Sequence, residues 1–407
     1  MRFIDYAGER RSWLFLLPVL LAAAWLFAHG MRGYPLLPFD EARLAVSAAE
    51  MRLNGQWLIP YYGGTPDLFS VKPPLMIWLQ SASIGIFGTS VGAIRLPAVL
   101  AAFATLALLY GFAITTLRNW RAGVLACAVL VTTGGYVQAH VARTGDYDAP
   151  LILFQTAQLI FFFRFAEWRK GRDWWVFVLA LILAAFTKGV VGFAPLPAIA
   201  LHALGTGMAK PLLTSRRFYG GVFAMLATIG GYYFYREFAT PGYLASLWSS
   251  EIADRVTVPI NGQGGSWTFY LSQMAHQDCA PWLFILPAAL ALAFFKGSAQ
   301  ERRATLLLGL FAAIWLAVVS AAGTKMFWYE APVYPALAMV SGIGLARGWA
   351  LPFSHFRSPG RFGLRWAEWT TNVTLANFTG PTLPGSTALP ARPTATAQLL
   401  SWSQGSR

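Results

Sequence analysis

Ten stretches of this chain contain no Asp, Glu, Lys or Arg and are apolar nearly throughout: 13–31, 96–117, 122–141, 150–163, 174–187, 190–208, 218–235, 281–295, 304–322 and 331–346. Most approach the roughly 20 residues that carry a helix across a bilayer. The shorter ones gain a turn from aromatic flanks such as Phe165 and Trp168. Charged residues are 12% of the 407, too few for a soluble surface, and AVILMFWYC residues are 56%, too many for disorder. The chain therefore reads as an all-α polytopic membrane protein with about ten transmembrane helices. Its first run reads as a retained anchor rather than a signal peptide, because no small-residue cleavage site precedes His29-Gly30.

The net charge is +14, from 31 basic and 17 acidic residues. In a soluble protein that excess would point to nucleic acid; here it is the expected bias of cytoplasmic loops. The bias also decides an eleventh apolar run, 73–88, which opens with Pro73-Pro74. As a helix it would reach only about 24 Å. If it crossed, the clusters Arg118/Arg121, Arg164/Arg169/Lys170/Arg172, Lys210/Arg216/Arg217 and Lys296/Arg302/Arg303 would all face outward. We therefore expect an interfacial amphipathic helix at 73–88, with both chain ends inside.

This topology leaves outer segments at 32–95 and 236–280, and outer turns at 142–149, 187–190 and 323–330. Function is expected there. In the first, Asp40 reads as the N-cap of a helix, with Glu41 in its first turn and Arg43 on the same side at i+3. Lys72, ahead of the paired prolines, stands at the N-terminus of the interfacial helix, a site for phosphate. His140, Arg143, Asp146 and Asp148 crowd one turn before Pro150. Lys188, Arg255 (after Asp254) and Lys325 could each meet an anionic lipid or simply anchor the interface. His29, His202 and His355 stand alone, and Cys127 and Cys279 offer neither zinc spacing nor a disulfide framework. The chain has no P-loop, Rossmann fingerprint, HExxH or CxxC, which argues against nucleotide hydrolysis. Residues 351–407 are expected to form a disordered cytoplasmic tail, on which the sequons at Asn372 and Asn377 would have no meaning.

In order and spacing, several segments resemble polytopic GT-C glycosyltransferases, the superfamily of protein O-mannosyltransferases and lipid A aminoarabinose transferases. They are Asp40-Glu41-Ala42-Arg43, Lys72-Pro73-Pro74-Leu75, Arg95-Leu96-Pro97, Arg143 to Ala149, Thr187-Lys188-Gly189 and Trp328 to Pro335. The resemblance implies a transferase domain over 1–350, embedded in the bacterial inner membrane with its active site on the periplasmic side. It implies a polyprenyl-phosphate sugar as donor and a lipid, glycan or protein as acceptor. Asp40 corresponds to the essential acidic residue, Lys72 to the ligand of the lipid-linked phosphate, and Asp148 or Asp146 to a second acid at the sugar. Glu41, Arg43, Arg143, Asp146 and Lys325 are expected to contact substrate.

Two departures bear on this expectation. The aminoarabinose transferases carry a metal-associated Glu where this chain has Val71, so no metal or other cofactor is expected, with the His140 cluster the best remaining candidate. Relatives of that type continue into further spans and an outer domain, which would make this chain a minimal or a truncated member. A transporter or flippase, or a non-catalytic carrier-binding protein, are the rival readings. Transporters place ionisable groups at the bilayer midplane, whereas the ten runs here hold no Asp, Glu, Lys or Arg.

Overall fold

The computed structural model describes residues 3–32, 34–249 and 264–349. Asp254, Arg255, His355, both sequons and the tail at 351–407 lie outside the described residues, as does part of the second outer segment. The described chain is helical apart from a two-stranded hairpin pairing Tyr61–Tyr62 with Thr65–Pro66.

Among the described residues, five helices are long and apolar enough to cross a membrane: Ser12–His29 within the Phe3–Arg32 helix, Val91–Thr115, Asp148–Trp168, Gly171–Phe193 and Ala299–Ala321. A sixth arises if Phe269–Asp278 and Trp282–Lys296, bent by 103° against each other, count as one span. The expected ten spans are thus not reached by length and apolarity. The run at 122–141 stops being one helix after Val131, where Thr132-Thr133-Gly134-Gly135 supplies weak helix formers. The run at 190–208 begins as a 3₁₀ turn, Gly189–Phe193, and only Leu196–Gly205 follows as α-helix, because Pro195 and Pro197 allow a helix to start there but not to pass through.

The Tyr334–Trp349 helix is the centre of the bundle, packed against Trp120–Val131 on one side and Trp282–Lys296 on the other. Every residue from Tyr334 to Gly344 is buried. Small residues permit that approach. A Cβ at Gly342 would collide with the Ala122 carbonyl, and one at Gly344 with the Ala289 carbonyl.

Residues 73–88 form a helix over Leu75–Phe87, 13 residues and too short to cross. Its polarity is reversed relative to a helix in water. Gln80, Ser81 and Ser83 face inward, donating to carbonyls of Gly145 and Ile94, Ala48 and Ala93 respectively. Leu79, Ile86 and Phe87 face outward. The expected interfacial position suits an apolar outward face, but the polar stripe serves the protein and not water.

Charges gather at the two ends of the bundle. At one end Arg303 clamps Glu167, Arg164 pairs with Asp173, and buried Glu301 meets Arg347 and Asn119. Asp148 opens the helix that Glu167 nearly closes, which sets the two ends about 28 Å apart. We expect Gln56→Cys and Arg172→Cys, both at exposed positions on opposite ends, to divide under a membrane-impermeant thiol reagent. Labelling of both from the same side of sealed vesicles would overturn the orientation.

Candidate active site

The Asp40–Asn54 helix does not begin as the sequence implied. Phe39 takes the N-cap position with φ 73°, and Asp40 is the first helical residue. No side chain caps this end, so the carboxylate of Asp40 is not used as a cap and turns to a cleft. That cleft is lined by Asp40, Arg43, Leu44, Ser47, Ser70, Ile77 and Tyr147.

Glu41, expected to touch substrate, is instead a structural anchor. Its Oε1 accepts from Arg95 Nε at 2.6 Å and the Gly145 N–H at 2.7 Å; its Oε2 accepts from Arg95 Nη2 and the Leu37 N–H, both at 2.8 Å. Four bonds fill its acceptor capacity. Arg95 also donates to the carbonyls of Tyr34 and Pro35, so this buried pair fastens the first loop to the Val91–Thr115 helix and the Gly145 turn. Breaking one partner would leave an uncompensated buried charge.

Arg43 does share the face of Asp40. It is held by Asp67, with contacts of 2.6 and 3.1 Å, and lies between the rings of Tyr62 and Phe69 at 4.0 and 4.6 Å. Asp67 was not legible as a site residue, since nothing in its local pattern announces a partner 24 positions away.

Lys72 precedes its helix by three residues and lies 5.2 Å from the ring of Tyr147, whose hydroxyl is 3.2 Å from Ser70 Oγ. The backbone leading to Lys72 is pinned from beneath. Buried Arg236 donates to the Asp67 carbonyl at 3.0 Å, and the Tyr243 hydroxyl donates to the Val71 carbonyl at 2.6 Å. Neither residue carried a recognisable motif.

The turn at 140–148 is wound tightly under the cleft. His140 has φ 67° and donates its N–H to Thr144 Oγ1 at 2.7 Å; Thr144 in turn donates to Asp146 Oδ2. Gly145 has no room for a Cβ, which would meet the Ile94 carbonyl at 2.9 Å. The His140 ring stacks on Trp328 at 3.6 Å, with its Nδ1 3.5 Å from Asp146 Oδ2. Burial pushes the Asp146 carboxyl up to about 8; the Thr144 hydroxyl opposes this, while Glu41, Asp40 and Asp148 add to it. Burial also lowers His140, against the pull of Asp148 and Asp40, so the ring is neutral at pH 7.

The two candidates for the second acid are thereby separated. Asp148 is bound to Lys188 at 2.6 Å, both buried, whereas Asp146 faces the cluster with Asp40 and His140. Arg143 is half-buried in the same turn, its guanidinium lowered by burial. Lys325, expected at the substrate, spends its ammonium on the carbonyls of Val319, Ser320 and Ala322 at the end of the Ala299–Ala321 helix. Its role there is to close a helix C-terminus.

Asp40, His140 and Asp146 also form a possible cation site. One ligand atom from each lies within 4.8 Å of the others, and Asp146 Oδ1 has no hydrogen-bond partner. Two carboxylate oxygens and one imidazole nitrogen suit zinc or manganese. A single ion requires those atoms to draw together, since ligand distances near 2.1 Å set neighbouring donors about 3.4 Å apart.

Fold and site together define a polytopic helical membrane protein whose acids and bases converge on a cleft at one end. Comparison with known proteins narrows this class. Residues 71–233 match the family described as dolichyl-phosphate-mannose-protein mannosyltransferase. The undecaprenyl phosphate-alpha-4-amino-4-deoxy-L-arabinose arabinosyl transferase 1 of Sodalis glossinidius is 26% identical over 338 residues, 81% of this chain and 58% of that protein. The crystal structure of ArnT from Cupriavidus metallidurans bound to undecaprenyl phosphate aligns with TM-score 0.70 at 19% identity, covering 91% of this chain and 64% of that one. The archaeal oligosaccharyltransferase AglB from Archaeoglobus fulgidus aligns with TM-score 0.54 at 14% identity, covering 97% and 54%. The chain spans less than two thirds of the length of each. The family match and the sequence relatives agree with the motifs on one superfamily, the polytopic GT-C glycosyltransferases, and the solved structures share its fold.

Proposed function

We propose that the chain is a membrane glycosyltransferase that moves a sugar from a polyprenyl-phosphate carrier to a lipid, glycan or protein acceptor on the outer, periplasmic face of the inner membrane. The observation that carries this reading is the cleft itself. Asp40 and Tyr147 line it together, and Lys72 lies over the same tyrosine. An acceptor hydroxyl in the cleft gives its proton to Asp40 as its oxygen attacks the anomeric carbon. The bond from that carbon to the phosphate oxygen breaks, and the leaving phosphate keeps the electron pair, facing Lys72 and Arg143. Direct displacement inverts the anomeric centre.

A flippase finds less support. In the five membrane-length helices the acidic and basic side chains sit near the ends, away from a midplane site. Incubating purified protein with labelled polyprenyl-phosphate sugars and membrane extract should yield labelled acceptor; labelled carrier crossing vesicles without turnover would establish the rival. Comparing glycolipids of cells with and without the protein identifies the acceptor.

We further propose that transfer needs no metal, as Val71 stands where the resemblance implies an acidic residue. Were a divalent ion bound, Asp40, His140 and Asp146 would hold it, and it would supply positive charge next to the leaving group. EDTA should leave the rate unchanged. Loss of activity on chelation, restored by zinc or manganese, would overturn this and assign the ion to those three residues.

A further inference from the structure

Away from the cleft, two carboxyl groups are buried side by side. Asp278 ends the Phe269–Asp278 helix at its 103° bend and is 2% exposed; Glu330 precedes the 3₁₀ turn Ala331–Val333 and is 0% exposed. The two side chains are within hydrogen-bond reach of each other, yet as carboxylates Asp278 Oδ2 and Glu330 Oε2 find no donor. Two ionised carboxylates cannot satisfy one another, because each only accepts. A single proton between them satisfies both oxygens.

Among the described residues, no cation is paired with either carboxyl. The Tyr334 hydroxyl donates to Glu330 Oε1 at 3.2 Å, and the Gln273 side chain faces Asp278. Cys279 and Tyr270 are further titratable neighbours, neither of them a cation. Lys325, earlier on the Glu330 segment, has its three N–H donors on helix-end carbonyls. Burial, and then the neighbouring Asp278, raise the Glu330 carboxyl well above the usual carboxylate range.

The pair touches the active site at one remove. Two residues before Glu330, Trp328 carries the stacked ring of His140. On the other side, the Gly134–Val137 turn that leads to His140 rests directly on the Asp278 backbone; a Cβ at Gly134 would come within 3.2 Å of the Gln277 carbonyl and 3.5 Å of that of Asp278. Gly135 is pressed as closely against the Tyr334 ring.

We propose that Asp278 and Glu330 share one proton and, so bridged, act as a positioning pair that seats the Gly134–His140 turn against Trp328. The inference rests on the transferase reading for its catalytic consequence, and on the two orphaned oxygens alone for the shared proton. When the proton leaves, repulsion separates the helix bend from the Trp328 segment and His140 loses its seat.

The test uses purified full-length protein, wild type, Glu330→Gln and Asp278→Asn, with melting temperature and initial transfer rate measured at about pH 6.5 and about pH 9. An amide keeps the shape of the acid and offers its neighbour an N–H donor at any pH. A carboxyl raised in the folded state stabilises at low pH and loses that contribution as pH rises through its folded value, so wild type should melt lower at the alkaline pH. Both variants should show a smaller alkaline decrease. The wild-type rate should fall about tenfold further than that of Glu330→Gln over the same interval. Asp146 titrates in all three proteins, so the difference between them isolates the pair. Equal alkaline losses in wild type and both variants would refute the shared proton. A difference in melting without transfer by any preparation would support the shared proton and sink the transferase reading.

Discussion

Replacing Asp40 with Asn should reduce transfer by about a hundred- to ten-thousandfold, the usual worth of a positioned general base. Folding and membrane insertion should be unchanged. Asp40 makes no cap hydrogen bond, since Phe39 occupies that position, so the substitution removes charge and basicity without removing a structural contact. Asp146→Asn is the informative control. Burial pushes its carboxyl up to about 8, which favours the protonated form at pH 7, so its amide should be the milder variant. Initial rates with a labelled polyprenyl-phosphate sugar, alongside melting temperatures, check both. Near-normal turnover by Asp40→Asn would show that its carboxylate is not used.

The second large effect is expected at Lys72. Without its ammonium the leaving phosphate loses a charge-assisted contact at a partly desolvated site, worth about 2–4 kcal/mol, or about 30- to 1000-fold in rate. Lys72→Ala should show that loss in kcat. Lys72→Arg should recover part of it, because a planar fork replaces a compact ammonium in a position fixed by the Tyr147 ring. Tyr243→Phe frees the Val71 carbonyl and should produce a smaller loss of the same kind, through the backbone of Lys72. A wild-type rate in Lys72→Ala would remove the phosphate from this corner of the cleft.

The parts of this molecule that depend on local pattern were legible in the sequence. An unbroken apolar run gives its own helix, as at 96–117 and 304–322, and a short proline-led run gives a helix that stops early, as at 73–88. What local pattern cannot supply is a partner from a distant segment. Glu41 looked available to substrate until Arg95, 54 residues on, consumed it, and Lys188 took Asp148 in the same way across 40 residues. Asp146 and Asp148 differ by two positions in one turn, and no periodicity separates them; the fold does, by pairing one with Lys188 and burying the other beside Thr144 and His140. The ten-span count is not reached for a related reason. Hydropathy records where a chain can be apolar, and does not record where Gly, Thr and Pro interrupt its helix.

Gly342 and Gly344 give the bundle a genetic signature as well as a tight centre. Any larger residue there drives the Tyr334–Trp349 helix away from both neighbours, and this helix runs without a break from the Trp328–Val333 segment that stacks on His140. Gly342 lies about 12 Å along the axis from Tyr334. A random screen for lost transfer would therefore return substitutions at these glycines beside those at Asp40, and only their lowered abundance in the membrane would tell a displaced scaffold from a missing base.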